Sequence, residues 1–250
     1  MVRFLKRSLF AYGILFACAC FAQPVAAPFL VLTDPSGNQD TLRAGETGVQ
    51  PYQAPLSVEF CSNISNPDGV SVFPEWKVMR SYSDKSGSGS SETYLVRKNP
   101  DTEFEFTDYG SFTVSFSYTY SGSGQIDTEP GADVENMVFT IDNSSLHVPN
   151  AFSPNGDGYN DIFLIKAKSI VSIQVAIFDR YGRQIKSGTE QDMPYKEDSD
   201  GGYFECWDGT IGGRTAPDGV YYINVKAIGA GGYRYNRKSD INLLTGVAVQ

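Results

Sequence analysis

The sequence predicts an all-β protein, built as two consecutive Ig-like antiparallel β-sandwich domains after a signal peptide. Three observations lead there. Apolar residues alternate with polar ones at a period of two, as at Phe112, Val114, Phe116 and Tyr118, the pattern of a strand with one buried face. The chain holds 15 Tyr, 16 Phe and 25 Gly, while helix-favouring runs are scarce. Clusters of Gly, Pro, Asn, Asp and Ser recur at roughly 8–12-residue spacing, the rhythm of a sandwich.

Residues 1–22 read as a secretory signal peptide. MVRFLKR is a basic leader and SLFAYGILFACACFA a short apolar core. Cys20-Phe21-Ala22 is a small-x-small site that places cleavage between Ala22 and Gln23. No later stretch approaches the ~20 apolar residues of a transmembrane helix. The product is expected to be exported and soluble, or tethered by something other than its own helix. Leu15-Phe16-Ala17-Cys18 also makes a loose lipobox, an alternative in which Cys18 is acylated; Phe16 fits that pattern poorly. Without it two cysteines remain, Cys61 and Cys206. They could pair in an oxidising compartment, but they are far apart in different expected domains, which favours two separate thiols.

Residues 23–143 form the first expected domain. PFLVLTD is a short strand, PSGNQ a turn and DTLRAGE a second extended piece. Leu56, Val58 and Phe60 alternate with Ser57 and Glu59, and Phe73–Arg80 is a further strand with Trp76 as its central packing residue. SYSDKSGSGSSE reads as a flexible hairpin tip, since it is nearly all Ser, Gly and charge; Thr93–Val96 resumes the strand. Phe104 and Phe106 alternate, Asp108-Tyr109-Gly110 turns, and Met137–Ile141 closes the domain. Asp142–His147 is the expected linker, and His147, the only histidine, reads as a solvated residue within it.

Residues 144–250 form the second. The run Val148–Asp161, VPNAFSPNGDGYND, puts apolar residues beside a cluster that tolerates φ > 0 or bonds back to its own backbone, so it makes a stiff turn. Ile173, Val175 and Ile177 alternate towards a hairpin turn at Arg180-Tyr181-Gly182-Arg183. MPYKEDSDGGYFE reads as a polar loop, Cys206-Trp207-Asp208-Gly209 as a turn with a buried aromatic anchor, and TAPDG as another sharp turn. Val220–Ala227 is the best strand, and Ser239–Leu244 the last.

In order and with fitting spacing, VPNAFSPNGDGYND, IFDRYGRQI, WDG, APDGVYYINV and RKSDINLL resemble the gliding-motility-associated C-terminal domain. This is the type B sorting domain of the bacterial type IX secretion system. The resemblance spans Val148 to about Leu244; Tyr181 stands where the family usually has Trp, and TGVAVQ continues past the usual end. It implies that the folded domain is an address without catalysis, read by the type IX machinery together with a small outer-membrane β-barrel partner. The protein would then pass through the periplasm to the outer-membrane surface or the extracellular space. The first domain is similar to PKD-like (Ig-like) repeats of bacterial surface proteins, through APLSVEF, the Trp76 strand and DYGSFTVSF. A receptor reads a folded β-domain through rigid loops or a strand edge. The expected recognition residues are therefore Pro154, Asn155, Gly156, Asp157 and Gly158; Asp208 and Gly209; Pro217 and Asp218; and Ser239, Asp240, Ile241, Asn242, Leu243 and Leu244. Trp207 and Gly219 are expected to serve the fold.

The chemistry is sparse. Lys and Arg number 20 against 29 Asp and Glu, and without residues 1–22 the balance is 17 against 29, or −12. Such a surface repels phosphate backbones, so no nucleic-acid partner is expected. A single His excludes a His-based triad or a His-rich zinc site. Asn155–Asp161 resembles a calcium loop, but position 12 counted from Asn155 is Lys166 rather than the bidentate Glu, which favours a plain Asx-turn network. Glu103/Glu105 and Asp198/Asp200 are expected to be solvated, and SGSGSS lacks the Lys and helix of a phosphate loop. No enzyme activity, catalytic residue, metal or cofactor is expected. The preferred reading is an exported, non-enzymatic binding, structural or signalling component of the surface or the secretion apparatus. The alternative is a carbohydrate-binding or adhesive module that meets a surface glycan or protein ligand through Tyr82, Tyr94 and Tyr118.

Overall fold

A computed structural model describes residues 23–67, 69–83, 87–122, 129–132, 134–197 and 201–245. Residues 1–22, with Cys18 and Ala22, lie outside the described residues, as do Asp198, Asp200 and 246–250. The first half supplies β1 (Phe29–Thr33), β2 (Gln39–Arg43), β3 (Leu56–Cys61), β4 (Ser71–Ser83), β5 (Gly89–Arg97), β6 (Asp101–Phe106), β7 (Gly110–Ser121) and β8 (Met137–Ile141). One sheet runs β2-β1-β3-β6; the other centres on β7-β4-β5, with β8 and the short Glu129–Pro130 strand on the outer edge of β7. Alternation places Phe112, Val114, Phe116 and Tyr118 on one buried face, all at most 4% exposed.

Trp76 is fully buried between the sheets, with its ring 4.4 Å from Phe116 and 5.3 Å from Phe60. Its indole N–H donates to Pro100 O at 3.1 Å, which satisfies the one polar atom that burial would otherwise penalise.

The second half supplies β9 (Ser145–His147), β10 (Ala151–Phe152), β11 (Phe163–Lys168), β12 (Ile170–Phe178), β13 (Gln184–Thr189), β14 (Tyr195–Lys196), β15 (Tyr203–Trp207), β16 (Gly219–Gly229) and β17 (Tyr233–Leu243). The sheets are β9-β11-β15-β14 and β10-β17-β16-β12-β13. Every pair is antiparallel except β10 on β17. Trp207, Phe152, Phe163 and Tyr221 fill a separate core. Cys206 is buried in that core and Cys61 lies at the margin of the other; both are free thiols. Among the described residues no sheet crosses from one half to the other, and no helix is long and apolar enough to cross a membrane.

Several expectations need correction. Ser81–Ser83 and Gly89–Glu92 pair in the β4–β5 ladder, so the flanks of the expected tip are strand, while Asp84–Ser86 lie outside the described residues; Ser and Gly cost little in an exposed hairpin whose backbone bonds are satisfied. Ser145–His147 is a strand paired to Lys166–Lys168, not linker. The expected polar loop before Cys206 contains two strands, because Met193 (5% exposed) and Phe204 (4%) anchor it in the core. The final strand starts at Tyr233, six residues early, since Tyr233–Ser239 pairs with Ile223–Gly229.

A clamp joins the halves. Gln53, 8% exposed, accepts from Ser169 N at 3.2 Å and the Tyr195 hydroxyl at 2.7 Å. Its amide nitrogen donates to Gly201 O and to Glu197, so both ends of the side chain are engaged. Ser169 sits at φ 48° and returns a 3.3 Å bond from Ala54 N to its hydroxyl. Lys168 pairs with Asp142 at 2.6 Å, Gly231 N donates to Thr107 O at 3.0 Å, and Ala230 packs into the first core. Glu197 faces Asp34 here, and burial with that neighbouring charge pushes its carboxyl up to about 7.

Replacing Gln53 by Ala strands the Ser169 N–H at a buried contact, and an expected loss of about 1–3 kcal/mol follows. Urea unfolding followed by the fluorescence of Trp76 and Trp207, one per core, is expected to show one transition in the parent and two in Gln53→Ala.

Candidate functional site

The second half has two unlike ends. At one, Ser169 and Ala230 meet the first half. β12 and β17 run from that end and β16 runs back to it; 11 residues of β16 at about 3.3 Å each put the far end roughly 36 Å away. The turns of the sequence reading collect at this far end.

The loop after β10 is closed at its neck by Ser153 N to Asn160 O, 2.8 Å. Asp161 holds its interior, with Oδ1 accepting from Gly156 N at 2.7 Å and Oδ2 from Gly158 N at 2.8 Å. Asn155 accepts from Asp157 N at 3.0 Å, and Asp157 accepts from Tyr159 N at 2.8 Å. Gly156 (φ 80°) and Gly158 (φ 87°) adopt the left-handed backbone that these bonds require. The acidic oxygens thus turn inward onto backbone donors in an Asx network. The Gly156 N–H, then that of Gly158, holds the Asp161 carboxyl below its usual range.

The neighbouring turns use the same device. Asp208 Oδ1 accepts from Thr210 N and Oγ1 at 3.0 and 2.9 Å. A Cβ on Gly209 (φ 75°) would meet Pro154 at 2.6 Å, so only glycine lets these two loops touch. Asp218 Oδ1 accepts from Thr245 N at 2.9 Å and Oγ1 at 2.6 Å, tying the TAPDG turn to the chain beyond β17. The Thr245 hydroxyl, followed by its N–H, lowers the Asp218 carboxyl. Asp179 accepts from Tyr181 N and Arg183 N at 2.9 Å and from Arg183 Nε at 3.1 Å. Burial opposes its ionisation, but these donors prevail and lower it.

Stiff turns of this kind display side chains at small entropic cost. Tyr181 is 87% exposed and Tyr159 78%, and Leu244 and the β16 residues Val220 and Tyr222 are exposed as well. The sequence reading chose the turns but not these apolar residues; the signal was an aromatic in the middle of each polar turn. Of the expected recognition residues, Pro154–Gly158, Asp208, Gly209, Pro217, Asp218 and Leu244 gather at this pole. Ile241 and Leu243 do not take part, being fully buried because they alternate into the core. Ser239, Asp240 and Asn242 line β17, whose end is covered by β10 at Asn242–Leu243, so the strand is not a bare edge along its whole length. Leu244 lies beyond it and donates its N–H to Phe152 O at 3.2 Å. Trp207 packs 4.9 Å from Tyr221 within the core.

The tyrosines expected to line a ligand face on the first half are not free. Tyr118 is 4% exposed and donates to Pro24 O at 2.8 Å. Tyr94 donates to Asp108 at 2.8 Å, and the Arg80 guanidinium lies 4.1 Å over the Tyr82 ring.

Residues 146–242 match the sequence model of the CHU_C family, the type IX secretion signal domain. The chain accordingly carries a type IX secretion signal, which implies engagement with the secretion machinery and export to the outer-membrane surface or the extracellular space. No curated protein matches the sequence. Among solved structures, the chain is similar to the FN1–FN3 domains of chicken CNTN1, at 10% identity and TM-score 0.24, covering 83% of this chain and 73% of that one. It is also similar to SGBP-B of the Bacteroides ovatus mixed-linkage glucan utilization locus, at 12% identity and TM-score 0.18, covering 79% of this chain and 42% of that one. Neither likeness bears on function.

Because the Asp161 carboxyl is lowered on folding, its contribution is complete above the unfolded value of about 3.9 and is lost as pH falls through the lower folded value. The Gly156 and Gly158 amide proton shifts in NMR spectra are therefore expected to stay constant from neutrality to about pH 4 and to move below it. In Asp161→Ala the loop is expected to become a protease-sensitive site at neutral pH.

Proposed function

We propose that the protein is an exported, non-enzymatic surface or secretion-apparatus component, in which residues 144–250 are the address and residues 23–143 the passenger. The family match at residues 146–242 carries this reading. The gathering of the stiff turns at the pole farthest from the passenger supports a docking role for that pole. A receptor approaching there meets Tyr159 and Tyr181, the residue type that most often anchors an interface, held on turns that need no reordering. The clamp at Gln53 keeps the passenger clear of that approach. In this reading the chain belongs to the gliding-motility-associated, type B branch, enters the periplasm by its N-terminal signal, and engages a small outer-membrane β-barrel beside the translocon.

Removing residues 148–250 is expected to leave the first module in the periplasm, measured by fractionation and by surface protease accessibility; undiminished surface display would sink the sorting assignment. The double change Tyr159→Ser and Tyr181→Ser is expected to cut surface delivery severalfold while leaving the unfolding midpoint unchanged, because both side chains are exposed. Normal delivery of that variant would move the docking site away from this pole without touching the sorting assignment.

A further inference from the structure

The first module carries an opening that the sorting role does not use. β4 and β7 pair with Phe73 opposite Thr119, Glu75 opposite Ser117 and Lys77 opposite Ser115. Pro74, Trp76, Phe116 and Tyr118 point into the core, so Phe73, Glu75, Ser115, Ser117 and Thr119 share the outer face. A cavity of about 750 Å³ lies on these strands, with Lys98, Pro100 and Pro130 among its lining residues. Phe73 is 52% exposed near the start of β4, so about half of its surface is open to solvent on this face. Glu75 and Lys98 meet across it at 3.8 Å with side chains 43% and 78% exposed, a loose pair that can open to a ligand's hydroxyls.

We infer that this groove is a binding site for a neutral saccharide chain, with the Phe73 ring as its stacking platform and Ser117, Thr119, Glu75 and Lys98 as its hydrogen-bonding rim. A pyranose presents an apolar C–H face and an equatorial belt of hydroxyls, and the groove offers one exposed ring beside a row of hydroxyls and one donor–acceptor pair. A peptide strand would seek a free backbone edge, whereas both β4 and β7 are paired here. Charge selects the class further. Residues 23–143 contain six Lys and Arg against seventeen Asp and Glu, a balance of −11, so polyanionic glycans are repelled. The site is independent of the sorting reading, since binding is measured on purified protein.

The test is affinity gel electrophoresis of the purified protein in laminarin, galactomannan, xyloglucan, arabinoxylan and amylopectin, with alginate as the polyanion. At least one neutral polymer is expected to retard the protein, and alginate is not. Phe73→Ala is expected to weaken that binding by roughly tenfold or more, and Phe73→Trp to preserve it. Ser117→Arg, which fills the groove, is expected to abolish it; this variant decides the matter if circular dichroism shows that Phe73→Ala is misfolded. Retardation by no neutral polymer, binding of alginate alone, or parental binding by folded Phe73→Ala and Ser117→Arg would overturn the assignment.

Discussion

A β-strand cannot choose where its side chains go: successive residues point to opposite faces, so a strand with one wet side must alternate along its whole length. In this chain that constraint is met with aromatic residues. β7 places Phe112, Val114, Phe116 and Tyr118 in the core, and β16 does the same with Tyr221, Ile223 and Val225 in the second half. Two Trp-centred cores result, each closed by its own pair of sheets. Everything polar that acts is pushed either to the strand ends or to the outer faces.

At the strand ends the chain solves one problem repeatedly. A turn exposes backbone N–H groups that need acceptors, and Asp161, Asp179, Asp208 and Asp218 supply them from within a few residues or, at Thr245, across the pole. The carboxylates of the Asn155–Asp161 loop, which might have suggested a cation, are occupied in fixing backbone. What they leave outward is apolar, above all Tyr159 and Tyr181. That division of labour suits a surface read by a partner.

The junction has the opposite character. Gln53 and Ser169 bury polar groups between the halves and satisfy them mutually, so the modules are held in one orientation by directional bonds rather than by a sheet passing through. Directional bonds tolerate little sliding, and the far pole therefore projects away from the first half.

Strand identity was largely legible in the sequence because period-two alternation is local: β1, β3, β4, β7, β8, β12 and β16 each announce themselves within a few residues. The Asx turns were legible for the same reason, since Asn, Asp and Gly act on their own neighbours. Strands that escaped notice, among them β9, β11, β14 and β15, and the early start of β17 at Tyr233, draw their pairing from partners far along the chain, and shortness or the Lys, Glu and Asn within them hides the pattern. The sequence by itself determined the fold class, the stiff turns and the presence of an address in the second half. Only tertiary structure decided that those turns meet at one pole, that Ile241 and Leu243 belong to the core, that Tyr118 is buried while Phe73 is not, and that Gln53 clamps the halves. Each of these is set by which distant strands become neighbours, and no local pattern encodes that.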